Sequence, residues 1–177
     1  REAGSGTGVN PAALAISGDV PPGTAKVEAW NGTSWFEVND VNTSGTGRAA
    51  AGVVSSAMVF GGDIGPSTMG DITELWNGLV WTETNDMSTQ RWGAAPSGTA
   101  TAGLVAGGGS PAITAATEEW NANVATGAWV TGNNLNTARL GLAASIHGTQ
   151  TSTIAFAGGD PTSVTKNENY NGTTWAE

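Results

Sequence analysis

Short apolar runs closed by a glycine doublet recur along this chain, at Met58-Val59-Phe60-Gly61-Gly62, Leu104-Val105-Ala106-Gly107-Gly108 and Ile154-Ala155-Phe156-Ala157-Gly158-Gly159, with a weaker copy at Leu14-Ala15-Ile16-Ser17-Gly18. Downstream of each run stands an aromatic pair whose second members, Trp35, Trp81, Trp129 and Trp175, are separated by 46, 48 and 46 residues. The first members are Trp30, Trp76, Trp120 and Tyr170. Upstream of each run stands an arginine (Arg1, Arg48, Arg91, Arg139) followed by a segment of small residues. A fixed period of this length is the mark of a repeat architecture. Each copy supplies four strand-length segments, so the chain reads as repeats over about 1–47, 48–90, 91–138 and 139–177 within a single domain.

Between the aromatics lies Asn31-Gly32, Asn77-Gly78 or Asn171-Gly172. This dipeptide favours the positive φ values of a type I′ turn, which predicts a hairpin at each site. The third copy carries a longer loop over 121–128, and insertions are tolerated at such tips. A glutamate stands two residues before each first aromatic, at Glu28, Glu74, Glu118 and Glu168. Period-two alternation puts it on the aromatic's face of the strand. Four glutamates keep step with four arginines, and a buried carboxylate needs a charged or hydrogen-bonding partner. The expectation is a structural ion pair between neighbouring repeats.

Composition agrees with an all-β chain: 38% hydrophobic residues, dominated by small ones, and 27 glycines among 177 residues suit thin sheets and many turns. Fifteen acidic residues against six basic ones give a formal charge of −9, which lacks the basic footprint that nucleic acid requires. No apolar run of about 18 residues marks a membrane helix, and no basic-then-apolar leader opens the sequence. The absence of cysteine excludes disulfides, thiolate zinc sites and cysteine nucleophiles.

The arginine, the strand ending in Gly-Gly, the Glu-x-aromatic strand and the tryptophan strand together resemble the kelch repeat, over essentially the whole chain. Three copies have tryptophan where the family has tyrosine, the first doublet reads Ser17-Gly18, and the histidine often found after the arginine is missing. The resemblance implies a β-propeller of four-stranded antiparallel blades around a central channel. Four blades are present. The last copy stops two residues past Trp175, so further blades of a larger ring are expected in the intact protein, with a four-blade ring as the alternative. The Trp-Asn-Gly-Thr-x-Trp and Asn-Thr-x-Arg segments, in an alanine-rich and lysine-poor background, are similar to repeats in virion and tail-fibre proteins of marine bacteriophages, notably cyanophages.

Some kelch-like propellers are copper oxidases resembling galactose oxidase, whose site needs a cysteine cross-linked to tyrosine, a second tyrosine and two histidines. With no cysteine, one tyrosine and one histidine, this chain has no such site. No nucleophile motif, phosphate loop, metal site or cofactor motif is present. Asp40 to Gly45 imitates the start of a calcium loop, but its twelfth position is Ala51 rather than glutamate, and the counterparts 86–88 and 134–136 indicate a recurring Asx turn. His147 reads as a surface turn residue.

Two sets of residues remain as candidate binding groups. Asp19, Asp63 and Asp160 follow the doublet and are expected on equivalent loops around one mouth of the ring. Trp92 follows Arg91 where the other copies have Glu2, Ala49 and Leu140, and is free to stack on a sugar or a partner. The function that fits is non-catalytic: a virion structural or adhesin module, in the virion or outside the cell, whose loops contact other virion subunits or a host-surface glycan or receptor, with homo-oligomers possible. The alternatives are a kelch-type scaffold for protein partners, and an enzyme whose active site lies outside these residues.

Overall fold

The computed structural model describes residues 2–19, 23–65, 68–123, 127–145, 147–160, 162–163 and 165–177. The first blade consists of β1 (Ser5–Val9), β2 (Ala12–Ile16), β3 (Val27–Trp30) and β4 (Trp35–Val38). The second consists of β5 (Ala49–Val53), β6 (Ser56–Phe60), a ribbon of β7 (Asp63–Gly65) and β8 (Thr68–Met69), then β9 (Thr73–Trp76) and β10 (Trp81–Thr84). The third has β11 (Ala95–Gly98), β12 (Ala102–Ala106), the ribbon β13 (Gly109–Ser110) and β14 (Ala112–Ile113), then β15 (Thr117–Asn121) and β16 (Ala128–Gly132). The fourth has β17 (Ala143–Ala144), β18 (Thr153–Phe156), the ribbon β19 (Gly159–Asp160) and β20 (Thr162–Ser163), then β21 (Asn167–Tyr170) and β22 (Trp175–Ala176).

In every blade the four main strands pair antiparallel in chain order. The first strands β1, β5, β11 and β17 neighbour one another successively around the axis, which makes the fold a four-blade β-propeller. Small residues on these inner strands allow that approach. An axial ladder ties them together: Gly47 N–H donates to Ala3 O, Gly93 N–H to Gly47 O, and Gly141 N–H to Gly93 O.

The strand registers are the same in all four blades. Ile16, Phe60, Ala106 and Phe156 form one column, and Leu14, Met58, Leu104 and Ile154 another. Both columns face the following blade, where the first three copies meet its aromatic pair. Leu14 and Ile16 pack with Trp76 and Trp81, Met58 and Phe60 with Trp120 and Trp129, and Leu104 and Ala106 with Tyr170 and Trp175. Each junction is also stitched by hydrogen bonds. The indole N–H groups of Trp81, Trp129 and Trp175 donate to Asn39 O, Thr73 Oγ1 and Thr117 Oγ1 of the preceding repeat. In return Asn39, Asn85 and Asn133, four residues past each tryptophan, donate to the hairpin carbonyls of Leu79, Gly127 and Thr173.

The structure corrects the ion-pair expectation. Arg48–Glu74, Arg91–Glu118 and Arg139–Glu168 each lie within one repeat, at 3.1, 2.5 and 2.7 Å, with side chains at most 2% exposed. Arg1, the corresponding arginine of the first repeat, lies outside the described residues. The join to the preceding repeat comes from the second carboxylate oxygen, which accepts the backbone N–H of Asn42, Ser88 or Asn136 on the connecting segment. Those segments also bury Val41, Met87 and Leu135. The stretch that imitates a calcium loop therefore belongs to a structural node.

The hairpins differ from the type I′ expectation as well. Four residues separate Trp30 from its register partner Trp35, and only Gly32 has positive φ, at 94°. The Asn31 side chain shapes the loop instead, its Oδ1 accepting the N–H groups of Thr33 and Ser34, and Asn77 and Asn171 repeat the pattern. The doublet of the fourth blade is also displaced by one residue. Positive φ falls on Ala157 (57°) and Gly158 (91°), matching Gly61 and Gly62, so Gly159 takes the place of Asp63.

Arg91→Ala leaves Glu118 buried without its counter-charge and is expected to cost about 3–5 kcal/mol, read from urea unfolding. A midpoint unchanged from wild type is the contrary result. Ala157→Gly relieves a left-handed alanine and is expected to stabilise the fold by roughly 0.5–1 kcal/mol in the same assay, because the relief exceeds the added freedom of the unfolded chain.

Candidate binding surface

Antiparallel blades bring two sets of loops to opposite mouths. One mouth carries the connections between second and third strands and between blades. The other carries the β1–β2, β5–β6, β11–β12 and β17–β18 turns together with the Asn-Gly hairpins.

The sequence candidates lie at the first mouth. Asp19 and Asp63 occupy the same position, each bridged to the entry of an inner strand, Asp19 to Glu2 and Asp63 to Thr46. Asp63 Oδ1 accepts the N–H of Gly65, so this carboxylate is engaged in its own turn. Asp160 is one position out of step, because Gly159 makes the equivalent bridge to Leu140. The three aspartates therefore do not form a uniform ring. Among the described residues no group of three His, Cys, Asp or Glu side chains is arranged to hold a metal. Trp92 is 41% exposed and bridges Gly109, where its indole Nε1 lies 3.0 Å from the place a Cβ would take. Leu140 Cδ1 reaches the same glycine, so Trp92 and Leu140 make an apolar corner on this mouth.

The second mouth holds two adjoining depressions among the described residues. A cleft of about 550 Å³ lies between the tips of the first two blades, lined by Val9, Ala12, Val53, Val54, Ser55 and Gly78. It continues through Val9 and Val53 into an axial hollow of about 190 Å³ bordered by Gly98, Thr99, His147 and Thr149. Val9 and Val53 are exposed although they end inner strands. Valine at a strand end beside a turn was the available signal for this surface, and sequence reasoning passed over it because an isolated exposed valine means little without its neighbours.

At the third junction, Tyr170 Oη donates to Glu119 Oε1 across the blades at 2.5 Å. Burial and this carboxylate raise the phenol above its ordinary value near 10. A raised value means that the native state favours the neutral phenol, so the stabilisation is present below pH 10 and is lost as pH rises through the native value. The chain's one tyrosine makes this directly observable.

A scan against protein-family models and a search of the curated proteins find no match for this chain.

Difference absorbance near 295 nm is expected to show no ionisation step at pH 10–11 in the folded protein. The step should appear at the usual tyrosine value in denaturant. A normal step near pH 10 in the folded state would remove the interblade hydrogen bond from the account.

Proposed function

We propose that this protein is a non-catalytic recognition module: an adhesin or virion structural element that presents its hairpin-tip mouth to another protein surface, in the virion or outside the cell. The observation that carries this reading is the valine-lined cleft running into the axial hollow, an exposed apolar surface held on rigid blades. A propeller fold is consistent with an interaction or adhesin module. The virion assignment draws on the resemblance of the tryptophan–asparagine–glycine repeats to marine phage proteins. Many weak contacts from repeated copies would add up on a host surface.

A second reading has its own observation. Trp92, exposed beside Leu140 at the opposite mouth, offers a flat ring for stacking against a sugar.

Labelled 177-residue protein incubated with marine cyanobacterial cells and read by flow cytometry is the direct test. Wild type is expected to label the cells, and Val53→Glu to reduce labelling by tenfold or more while Trp92→Ala leaves it intact. Loss with Trp92→Ala alone, together with binding on a glycan array, supports the sugar reading. Absence of labelling by the wild-type chain counts against both.

A further inference from the structure

Four blades would make four junctions in a closed ring, but among the described residues only three hydrophobic clusters join neighbouring blades, and none links the fourth blade to the first. Among the described residues, those at the two ends carry the same junction pattern but stand exposed. On the fourth blade, Ile154 and Phe156 are 43% and 40% exposed, whereas their register equivalents Met58 and Phe60 are 0% and 1%. On the first blade, Trp35 is 49% exposed, whereas Trp81 and Trp175 are each 6%.

Two polar features of the junction recur at these ends. Thr73 and Thr117, which accept the indole N–H groups of Trp129 and Trp175, are fully buried. Asn167 stands at their register position on the fourth blade, exposed, with a side-chain carbonyl able to accept the same bond. The axial ladder ends likewise: its links run through Ala3, Gly47, Gly93 and Gly141, and no hydrogen bond from Ala3 N–H to Gly141 O continues it.

The three internal junctions show what covers such a face. It is the aromatic-pair face of another blade of this repeat. We infer that a second copy of this chain docks head to tail, its Trp30 and Trp35 on Ile154, Phe156 and Asn167 of the first, and that the reciprocal contact closes a two-chain ring of eight blades. Eight blades is within the range in which propellers close. The contact joins two different faces, so it is heterologous and must close on itself to avoid open polymers. It continues an interface already built three times within the chain. The inference stands apart from the recognition reading, which concerns the mouths of the ring rather than its end faces.

Sedimentation velocity of the 177-residue chain over a hundredfold range of concentration is expected to give the mass of two chains. An Ile154→Glu/Phe156→Glu variant and a Trp35→Glu variant each spoil one face at an already exposed position, and each alone is expected to run as a single chain with unchanged circular dichroism. Mixed in equal amounts they still hold one intact pair of faces, so a one-to-one complex should form. A wild-type mass of one chain, masses that grow beyond two chains, or a dimer that survives either variant would overturn the proposal. A dimer held by like faces is distinguished because one of the two variants would then remain dimeric by itself.

Discussion

A guanidinium and a carboxylate withdrawn from water lose several kcal/mol of hydration apiece, and their mutual attraction offsets this in good geometry with further hydrogen bonds to the remaining donors and lone pairs. The second, third and fourth blades are organised around three such pairs, in which Arg48 Nη2 and Arg139 Nε are left buried without a hydrogen-bond partner. Arg91 donates to Glu118 and also to the carbonyls of Gly107 and Ala116, which bracket the connection between second and third strands. Arg139 does the same with Glu168, Ala157 and Lys166. Glu118 uses its other oxygen to take the N–H and hydroxyl of Ser88. One ion pair therefore fixes the glycine turn, the third strand and the segment arriving from the previous blade. Burial in turn pushes the Arg48 and Arg91 guanidinium groups below their usual value, with the glutamate opposing the shift.

The glycine doublets follow from the same node. A Cβ on Gly62 would lie 2.4 Å from Arg48 Cγ and 2.7 Å from Thr46 O, so the second position of the doublet leaves no room beside the arginine stem and the bridging backbone. The first position is left-handed as well, and a Cβ there would lie 2.6 Å from Arg91 O at Gly61 and 2.8 Å from Arg139 O at Gly107, whereas Ser17 and Ala157 adopt the same backbone in the first and fourth copies at a modest conformational cost. Residues other than glycine therefore stand at the first position only in the first and fourth copies, while the second position is glycine in all four.

With each blade fixed internally, the junctions are left to shape and to the tryptophans. The aliphatic columns of one blade accept the aromatic pair of the next, while the indole N–H and the asparagine after the outer strand supply direction. Such an interface recurs at every step, with the indole N–H finding a carbonyl at the first junction and a threonine hydroxyl at the other two, so it leaves an exposed aromatic face at one end and an exposed aliphatic face at the other. The loop tips at the mouths differ between blades, which is where the valine cleft and Trp92 arise.

The sequence by itself determined the number of repeats present, the four strands of each and the shared face of glutamate and aromatic, because period-two alternation and a repeat of 46 to 48 residues constrain every copy alike. It also showed that arginine and glutamate keep step. What it could not decide is which copies pair: equal spacing is compatible with bonds within a repeat or between repeats, and only the path of the connecting segment selected the former. Register had the same limit at Asp160, where Ala157 adopting left-handed backbone moved the doublet by one residue. Trp35 and Trp81 stand in nearly the same local sequence, yet one is half exposed and the other buried. Burial belongs to the blade packed against the ring rather than to the residues beside it in the chain, so the open end faces and the valine cleft were decided by tertiary structure alone.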